Sequence, residues 1–426
     1  MHHLKFTLIL ILLQTLLYAE WEQVIHGDIP LIMESASSID ASDPNTVAFA
    51  TYNGVRFTND GGQTWLYSRL PDWEITTFNL TDISVVDGQH IWCSTSDPGK
   101  IYASTDSGNS WSVQYHDSLS TNDFRYIEMF DLNNGIAMGN PNGTGPALFL
   151  VTLDGGITWT SVNDSLGPCE GENWQAIDFV STEEGFYQPC WEEIQYTHVT
   201  HDGCANWSKH GHTVRGQAIG AYNRDIALAA KYAKLQHTRD GGLSWYETTS
   251  PSNSWVLDVE FSPTNPSFVW IMSTLDVLFS QDTGRTWIEQ EIGFINPVDM
   301  VMVDDQNGWI LTKQGLWNTT NAGVTGVQSY GLQIKQPTLF PAFPNPFNPT
   351  TTLSYELPAQ SNVTLTVSDI TGRARTTLVQ AQQPAGYYEF QWSGTDDSGY
   401  PVSTGVYFCR LQAGDYSKTI KMVYLK

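Results

Sequence analysis

An all-β fold, a ring of seven four-stranded blades followed by a small immunoglobulin-like β-sandwich, is predicted for this 426-residue chain by three observations. One phrase, Ser/Thr-x-Asp-x-Gly-x-Ser/Thr-Trp, recurs along it; its copies are spaced by about one blade length; and the repeats stop at Gly331, beyond which the charge balance changes. Six copies end at Trp65 (Thr58, Asp60, Gly62), Trp111 (Ser104, Asp106, Gly108), Trp159 (Thr152, Asp154, Gly156), Trp207 (Thr200, Asp202), Trp245 (Thr238, Asp240, Gly242) and Trp287 (Ser280, Asp282, Gly284). A seventh keeps Thr319, Gly323 and Thr325 but has Asn321 for Asp and Gly326 where Trp belongs. Successive tryptophans lie 46, 48, 48, 38 and 42 residues apart, and Gly326 follows Trp287 by 39. A lone four-stranded sheet cannot bury both faces, so such repeats stack radially and close on themselves as a seven-bladed β-propeller.

The elements follow in chain order. Residues 1–19 carry His2, His3 and Lys5, an apolar run from Phe6, and Leu17-Tyr18-Ala19, the layout of a cleaved secretory signal. The run is shorter than the roughly 20 apolar residues a membrane helix needs, and no later segment approaches that length. The propeller is expected over residues 20–330. Trp21-Glu-Gln-Val reads as an outer strand without a blade. It is predicted to complete blade 7, with Trp21 packing where Gly326 lacks a ring, which removes two sheet edges that would otherwise recruit foreign strands. Inner strands precede the phrases as short alternating runs at Ile83, Ile127, Ile177, Val259 and Met300. In each phrase the Asp carboxylate and the hydroxyl can bond nearby backbone groups, Gly supplies a positive φ, and Trp buries a large ring. The fourth copy has Cys204 for Gly and Asn206 for Ser/Thr, which predicts a distorted turn.

The phrase resembles the Asp-box of sialidases, sortilin-type receptors, xyloglucanases and photosystem II assembly-factor propellers. The resemblance implies that the box joins the third and fourth strands of a blade, on the face away from the usual ligand site. Asp60, Asp106, Asp154, Asp202, Asp240 and Asp282 are then structural.

The net charge of −25 is uneven: residues 20–332 hold 12 Lys/Arg against 39 Asp/Glu, and residues 333–426 hold 7 against 6. An acidic propeller argues against nucleic acid, whose backbone needs clustered Lys/Arg, and suits a solvated surface. The pairs Glu183-Glu184, Glu192-Glu193 and Asp304-Asp305 lack the alternating ligands of a calcium loop, so no metal and no cofactor are expected. Of five cysteines, Cys93, Cys169, Cys190, Cys204 and Cys409, the preferred disulfide is Cys169–Cys190, with Cys204 a rival partner; export permits such a bridge.

Pro337, Pro341, Pro344, Pro346 and Pro349 mark a stiff connection, read as a linker over 331–340. The segment 341–426 then alternates as strands at Thr351–Glu356, Val363–Asp369, Tyr387–Trp392, Gly405–Leu411 and Ser417–Tyr424. Its landmarks, Phe343-Pro-Asn-Pro-Phe-Asn-Pro, Asp369, Gly372, Trp392, Asp396, Gly399 and Lys421, resemble the type A C-terminal sorting domain of type IX secretion substrates. It is also similar to the immunoglobulin-like domain of flagellar hook-capping proteins. The sorting resemblance implies passage through the periplasm, partnership with the secretion machinery, and release or attachment at the cell surface. A monomer is expected.

Propeller ligands enter the central funnel opposite the boxes. Aligning the blades places Glu34, Asn79, Arg125, Trp174, Arg215, Trp255 and Asn296 on that rim, a set of aromatics, cations and amides suited to a carbohydrate or protein ligand. No sialidase arginine triad with its Tyr nucleophile is evident, and the chain has length for one propeller where the xyloglucanases use two. Asp82, Asp258 and Asp299 fall at comparable blade positions and are the carboxylates available if hydrolysis occurs. The leading reading is a binding or scaffold module; the alternatives are a glycoside hydrolase and an assembly-factor-like propeller that grips a protein.

Overall fold

Each of the first six repeats folds into a four-stranded antiparallel meander, and the seventh supplies three strands of its sheet. The computed structural model describes residues 21–25, 36–51, 54–71, 79–96, 99–116, 122–141, 147–162, 176–188, 196–211, 218–231, 234–252, 254–290, 296–323, 329–331, 337–384 and 386–425. Among them there is no helix. The seven propeller sheets open with the inner strands Ser38–Asp43, Leu80–Val85, Asn122–Met129, Ile177–Phe179, Ala218–Ala221, Val256–Phe261 and Pro297–Met302. Blades 1 to 6 end on the outer strands Leu66–Arg69, Ser112–His116, Thr160–Val162, Ser208–Gly211, Tyr246–Thr249 and Thr286–Gln290. Apolar side chains pack between neighbouring sheets: Ala48, Val55 and Phe57 of blade 1 with Ile83 and Tyr102 of blade 2, and Phe186 and Val199 of blade 4 with Ile219 and Ala229 of blade 5.

Blade 7 takes its fourth strand from the start of the chain. Glu22–Ile25 pairs antiparallel with Gly315–Thr319, Gln23 opposite Trp317. Trp21 is fully buried against Trp270, Met300 and Ala322, and its Nε1 donates to Gln290 Oε1 at 2.8 Å. Trp111, the box tryptophan of blade 2, makes the equivalent bond to Ser68 Oγ at 2.9 Å. Ser68 and Gln290 each stand three residues after the box Trp of the preceding blade. Trp21 therefore serves as the seventh box tryptophan, supplied from the other end of the chain. The segment after the seventh box goes elsewhere: Ser329–Gly331 adds a fifth strand to blade 6, beside Thr286–Gln290.

The boxes share one geometry. In the first, Asp60 accepts Thr64 N–H at Oδ1 (2.9 Å) and the Thr64 and Thr58 hydroxyls, while Thr58 Oγ1 accepts Gly62 N–H at 3.0 Å. The fourth box is not distorted, contrary to the sequence expectation. Cys204 N–H donates to Thr200 Oγ1 at 3.0 Å with Cys204 at φ 66°, and the Asn206 amide replaces the missing hydroxyl by donating to Asp202 Oδ2 at 2.7 Å. A side-chain N–H can fill the donor role of an O–H, and the left-handed strain of roughly 1–2 kcal/mol at Cys204 is carried by the surrounding bonds.

A second recurrent motif is tied to the first. In every blade an Asx or Ser side chain accepts the N–H two residues on, closing the turn between the first two strands: Asp43 to Asn45, Asp87 to Gln89, Asp131 to Asn133, Ser181 to Glu183, Asn223 to Asp225, Asn265 to Ser267 and Asp304 to Gln306. The carbonyl of that later residue accepts a box N–H, from Gly61, Ser107, Gly155, Gly203, Gly241, Thr283 and Ala322 in turn, at 2.8–3.2 Å. Much of the propeller's acidity thus holds turns. Gly156 of the third box sits at φ 83°, and an added Cβ would lie 1.8 Å from Gln114 Oε1, displacing an amide that accepts Trp92 Nε1–H and donates to Gly155 O. Gly156→Ala is expected to destabilise the chain by about 2–4 kcal/mol through left-handed strain and overpacking, measured by denaturant unfolding.

The C-terminal sandwich packs a three-stranded sheet, Thr338–Leu339, Thr351–Leu357 and Gly386–Trp392, against a four-stranded one ordered Ala374–Gln383, Ser361–Asp369, Gly405–Ala413 and Tyr416–Tyr424. Leu339, Leu353, Leu365, Trp392, Leu411 and Met422 fill its core. It begins at Thr338, inside the stretch read from sequence as linker, because Thr338 and Leu339 pair with Glu356 and Tyr355. The Pro-rich landmark is part of the core. Phe347 stacks on Tyr424 at 4.9 Å, and Asn345 bonds both Lys421 O and Val423 N–H in the manner of a neighbouring strand.

Candidate functional site

The inner strands of blades 2, 3, 6 and 7 each carry a bulge near their start, between Leu80 and Asp82, Phe124 and Tyr126, Val256 and Asp258, and Pro297 and Asp299. A bulge re-aims the following side chain, and here three of the four are aspartates turned onto the next blade. Asp82 accepts Ile127 N–H at 2.8 Å, Asp299 accepts Ile39 N–H at 2.9 Å, and Asp258 accepts Met300 N–H. Two residues further on, a second row repeats the device: Asp40 accepts Val85 N–H at 2.5 Å, Ser84 Oγ accepts Met129 N–H at 3.0 Å, and Asp178 accepts Ala221 N–H at 2.6 Å. Blade 1 has Ser38 in the first row. Its hydroxyl donates to Asp82 Oδ1 at 2.7 Å and lies within reach of Asp299 as well.

Burial dominates the electrostatics of these acids. Asp82, Asp258 and Asp299 are 7%, 9% and 7% exposed. Loss of hydration raises Asp82 to about 7 against the pull of its hydrogen bonds, and raises Asp40 and Asp258 to about 6. Asp299 is raised well above the carboxylate range by burial, with the charges of Asp258 and Asp82 adding to it. The three carboxylates named from sequence as hydrolytic candidates are therefore seam residues between blades, each already accepting a backbone N–H.

The rim residues divide. Asn79, Trp255 and Asn296 do share one register: each is exposed, immediately precedes its inner strand, and accepts at its carbonyl a backbone N–H from Ser96, Thr274 or Lys313 at 2.9–3.1 Å. Arg125 does not belong to that register. It occupies the bulge of blade 3, and the residue aligned with Asn79 is Asp123, which Arg125 pairs with at 3.1 Å. The sequence alignment missed this by two residues because the hairpin Gly135–Thr152 of blade 3 is four residues longer than its blade 2 equivalent Ile91–Ser104, so counting back from the box does not reach the same position. Glu34, Trp174 and Arg215 lie outside the described residues, as do Cys169, Cys190 and Glu192-Glu193.

Cys93, Cys204 and Cys409 are free and buried, and burial pushes their thiols up, away from the reactive thiolate. Cys204, the rival disulfide partner, is thus unbridged. Of the acidic pairs, Glu184 bonds His201 and meets Arg224 at 3.4 Å, and Asp305 accepts the Ser262 and Thr264 hydroxyls at 2.5 and 2.9 Å. Among the described residues, no three His, Cys, Asp or Glu side chains converge as metal ligands, and no helix is long and apolar enough to cross a membrane.

Comparison with known proteins agrees with this architecture. Residues 345–417 match the family model of the FlgD immunoglobulin-like domain. No curated protein matches the chain. Among solved structures it is similar to YCF48 bound to a D1 peptide, with a TM-score of 0.57 and 20% identity over 73% of this chain and 99% of that one. YCF48 from Cyanidioschyzon merolae gives 0.56 and 20% over 71% and 99%. The GH74 xyloglucanase from Xanthomonas campestris gives 0.54 and 11%, covering 86% of this chain and 63% of that one. At such identities the likeness shows the fold. Seven propeller sheets, a strand from Glu22–Ile25 that completes the seventh, and a matched C-terminal domain make this chain a β-propeller joined to an immunoglobulin-like sandwich.

Proposed function

We propose that the protein is an exported binding or scaffold module whose propeller holds a carbohydrate or protein ligand on the face opposite its boxes. The C-terminal sandwich delivers it outward as a type IX secretion substrate, to the cell surface or medium. The observation that carries this reading is the contrast between the inner carboxylates, buried and spent on backbone N–H groups, and the exposed rim of Asn79, Trp255 and Asn296. A carboxylate hydrolase needs two acids facing a substrate across roughly 5–9.5 Å, free to exchange protons with it; Asp82, Asp258 and Asp299 face backbone. Between the two ligand classes, a protein segment is favoured by the likeness to YCF48, whose solved complex holds a D1 peptide.

The test is the mature chain probed against peptide and glycan arrays. Trp255→Ala and Asn79→Ala are expected to weaken binding at least about tenfold while leaving the unfolding midpoint in place, since both side chains are exposed. Turnover of a reporter glycoside that Asp82→Asn abolishes, with the fold intact, would overturn the binding reading in favour of a hydrolase. Export of a chain ending at Gly331 at the full-length level would remove the sorting role of the sandwich.

A further inference from the structure

The strand that completes blade 7 starts almost at the cut that the sequence predicts. The leader ends at Ala19, and Trp21, two residues on, is 1% exposed. Its ring lies against Trp270, Met300 and Ala322, with Nε1 bonded to Gln290, whose own amide donates to Ala322 O at 2.5 Å. Two residues of extended chain reach at most about 7 Å. The polar layer on one side of a bilayer is itself roughly 5–7 Å deep. A leader still seated in the membrane could reach this pocket only if the wall of blade 7 were pressed into the headgroups, and blade 7 belongs to an acidic ring with 39 Asp/Glu against 12 Lys/Arg over residues 20–332.

We propose that removal of the leader permits ring closure: in the membrane-held precursor blade 7 stands as three strands, and Trp21 enters its pocket only after the chain is cut behind Ala19. The rest of the ring does not need the strand in order to assemble. The seam from blade 7 to blade 1 has a bond that the strand does not make, Asp299 to Ile39, and an apolar filling of Ile39, Phe49, Trp309 and Leu311 to which the strand adds the partly buried Val24. The precursor is then a nearly complete propeller with one unpaired edge, Gly315–Thr319, and its last step of folding is tied to processing. This inference rests on the export reading of residues 1–19.

The test compares three full chains by amide hydrogen exchange at Glu22–Ile25 and Leu316–Asn318: the mature protein, the precursor made uncleavable by Ala19→Arg and reconstituted in phosphatidylglycerol/phosphatidylethanolamine vesicles, and a chain whose first 19 residues are replaced by Gly/Ser. Exchange at these amides is expected to be at least about 100-fold faster in the vesicle-held precursor than in the mature chain, with Val47–Thr51 of blade 1 unchanged and the Gly/Ser chain as protected as the mature one. Equal protection in a precursor that floats with the vesicles overturns the closure proposal alone. Loss of protection in the Gly/Ser chain overturns it too, by making extra length rather than anchoring the cause. A precursor that fails to float overturns the leader reading and the proposal with it.

Discussion

Trp21→Ala is expected to lower the unfolding free energy by about 3–5 kcal/mol, the range for truncating a buried Trp. The residue is a core side chain, 1% exposed, and its loss removes three things together. The apolar contact with Trp270 and Met300 goes; Gln290 Oε1 loses its donor; and the strand Glu22–Ile25 loses the anchor that holds it on Gly315–Thr319. An unanchored terminal strand frays. The effect is therefore expected to exceed that of Trp65→Ala, whose ring is only partly buried and whose Nε1 bonds within its own box, to Gly62 O at 3.0 Å. Chemical denaturation of both variants checks this; a Trp21→Ala cost no larger than that of Trp65→Ala would mean that the ring does not depend on its borrowed strand.

The second large effect is on pH dependence. Asp40, Asp82, Asp258 and Asp299 all titrate higher in the folded chain than at the ordinary 3.8, with Asp82 at about 7 and Asp40 and Asp258 at about 6. Between pH 4 and 7 the folded state therefore holds more protons than the unfolded one, and stability falls as pH rises through that window. The box carboxylates Asp60, Asp106, Asp154 and Asp202, and Asp369 of the sandwich at about 2, are shifted down by their hydrogen bonds. Their contribution is present above pH 4 and lost as pH falls below it. The melting temperature is expected to peak near pH 4–5 and to decline towards pH 8. Asp82→Asn, which keeps an acceptor for Ile127 N–H and cannot ionise, should flatten the alkaline limb. Asp82→Ala at pH 5 should cost about 2–4 kcal/mol, because the Ile127 N–H and the Ser38 hydroxyl lose their acceptor. A melting temperature that rises steadily from pH 5 to 8 would contradict the seam electrostatics.

The parts of the fold that were legible in sequence are those in which a single residue type is required by local geometry. A box needs an acceptor, a positive φ and a ring at fixed offsets, so six copies could be read directly, and the missing seventh Trp pointed to Trp21. Two features escaped because their chemistry is distributed. The turn motif that docks on each box accepts Asp, Asn or Ser, and its partner bond is made by backbone, so only a recurring Asx or Ser ahead of each box could have betrayed it. The inner-strand bulges leave no compositional trace, so the turn of Asp82, Asp258 and Asp299 onto the next blade went unread and they looked like a catalytic set, while Arg125 was displaced because the hairpin Gly135–Thr152 is four residues longer than Ile91–Ser104. In the sandwich, Ala374–Gln383 went unread because it is an edge strand that bulges twice against Ser361–Asp369, at Arg375 and Leu378, which sets Leu378 beside Val379 and breaks the alternation.

The three residues Ser329–Gly331 have a mechanical consequence. They lie along the outer edge of blade 6, on the same strand whose Gln290 holds Trp21. This strand can peel from Thr286–Gln290 without breaking any pairing inside the four-stranded meander that it extends. A stretched chain can therefore lengthen at this point while Thr286–Gln290 keeps its pairing with Val277–Ser280.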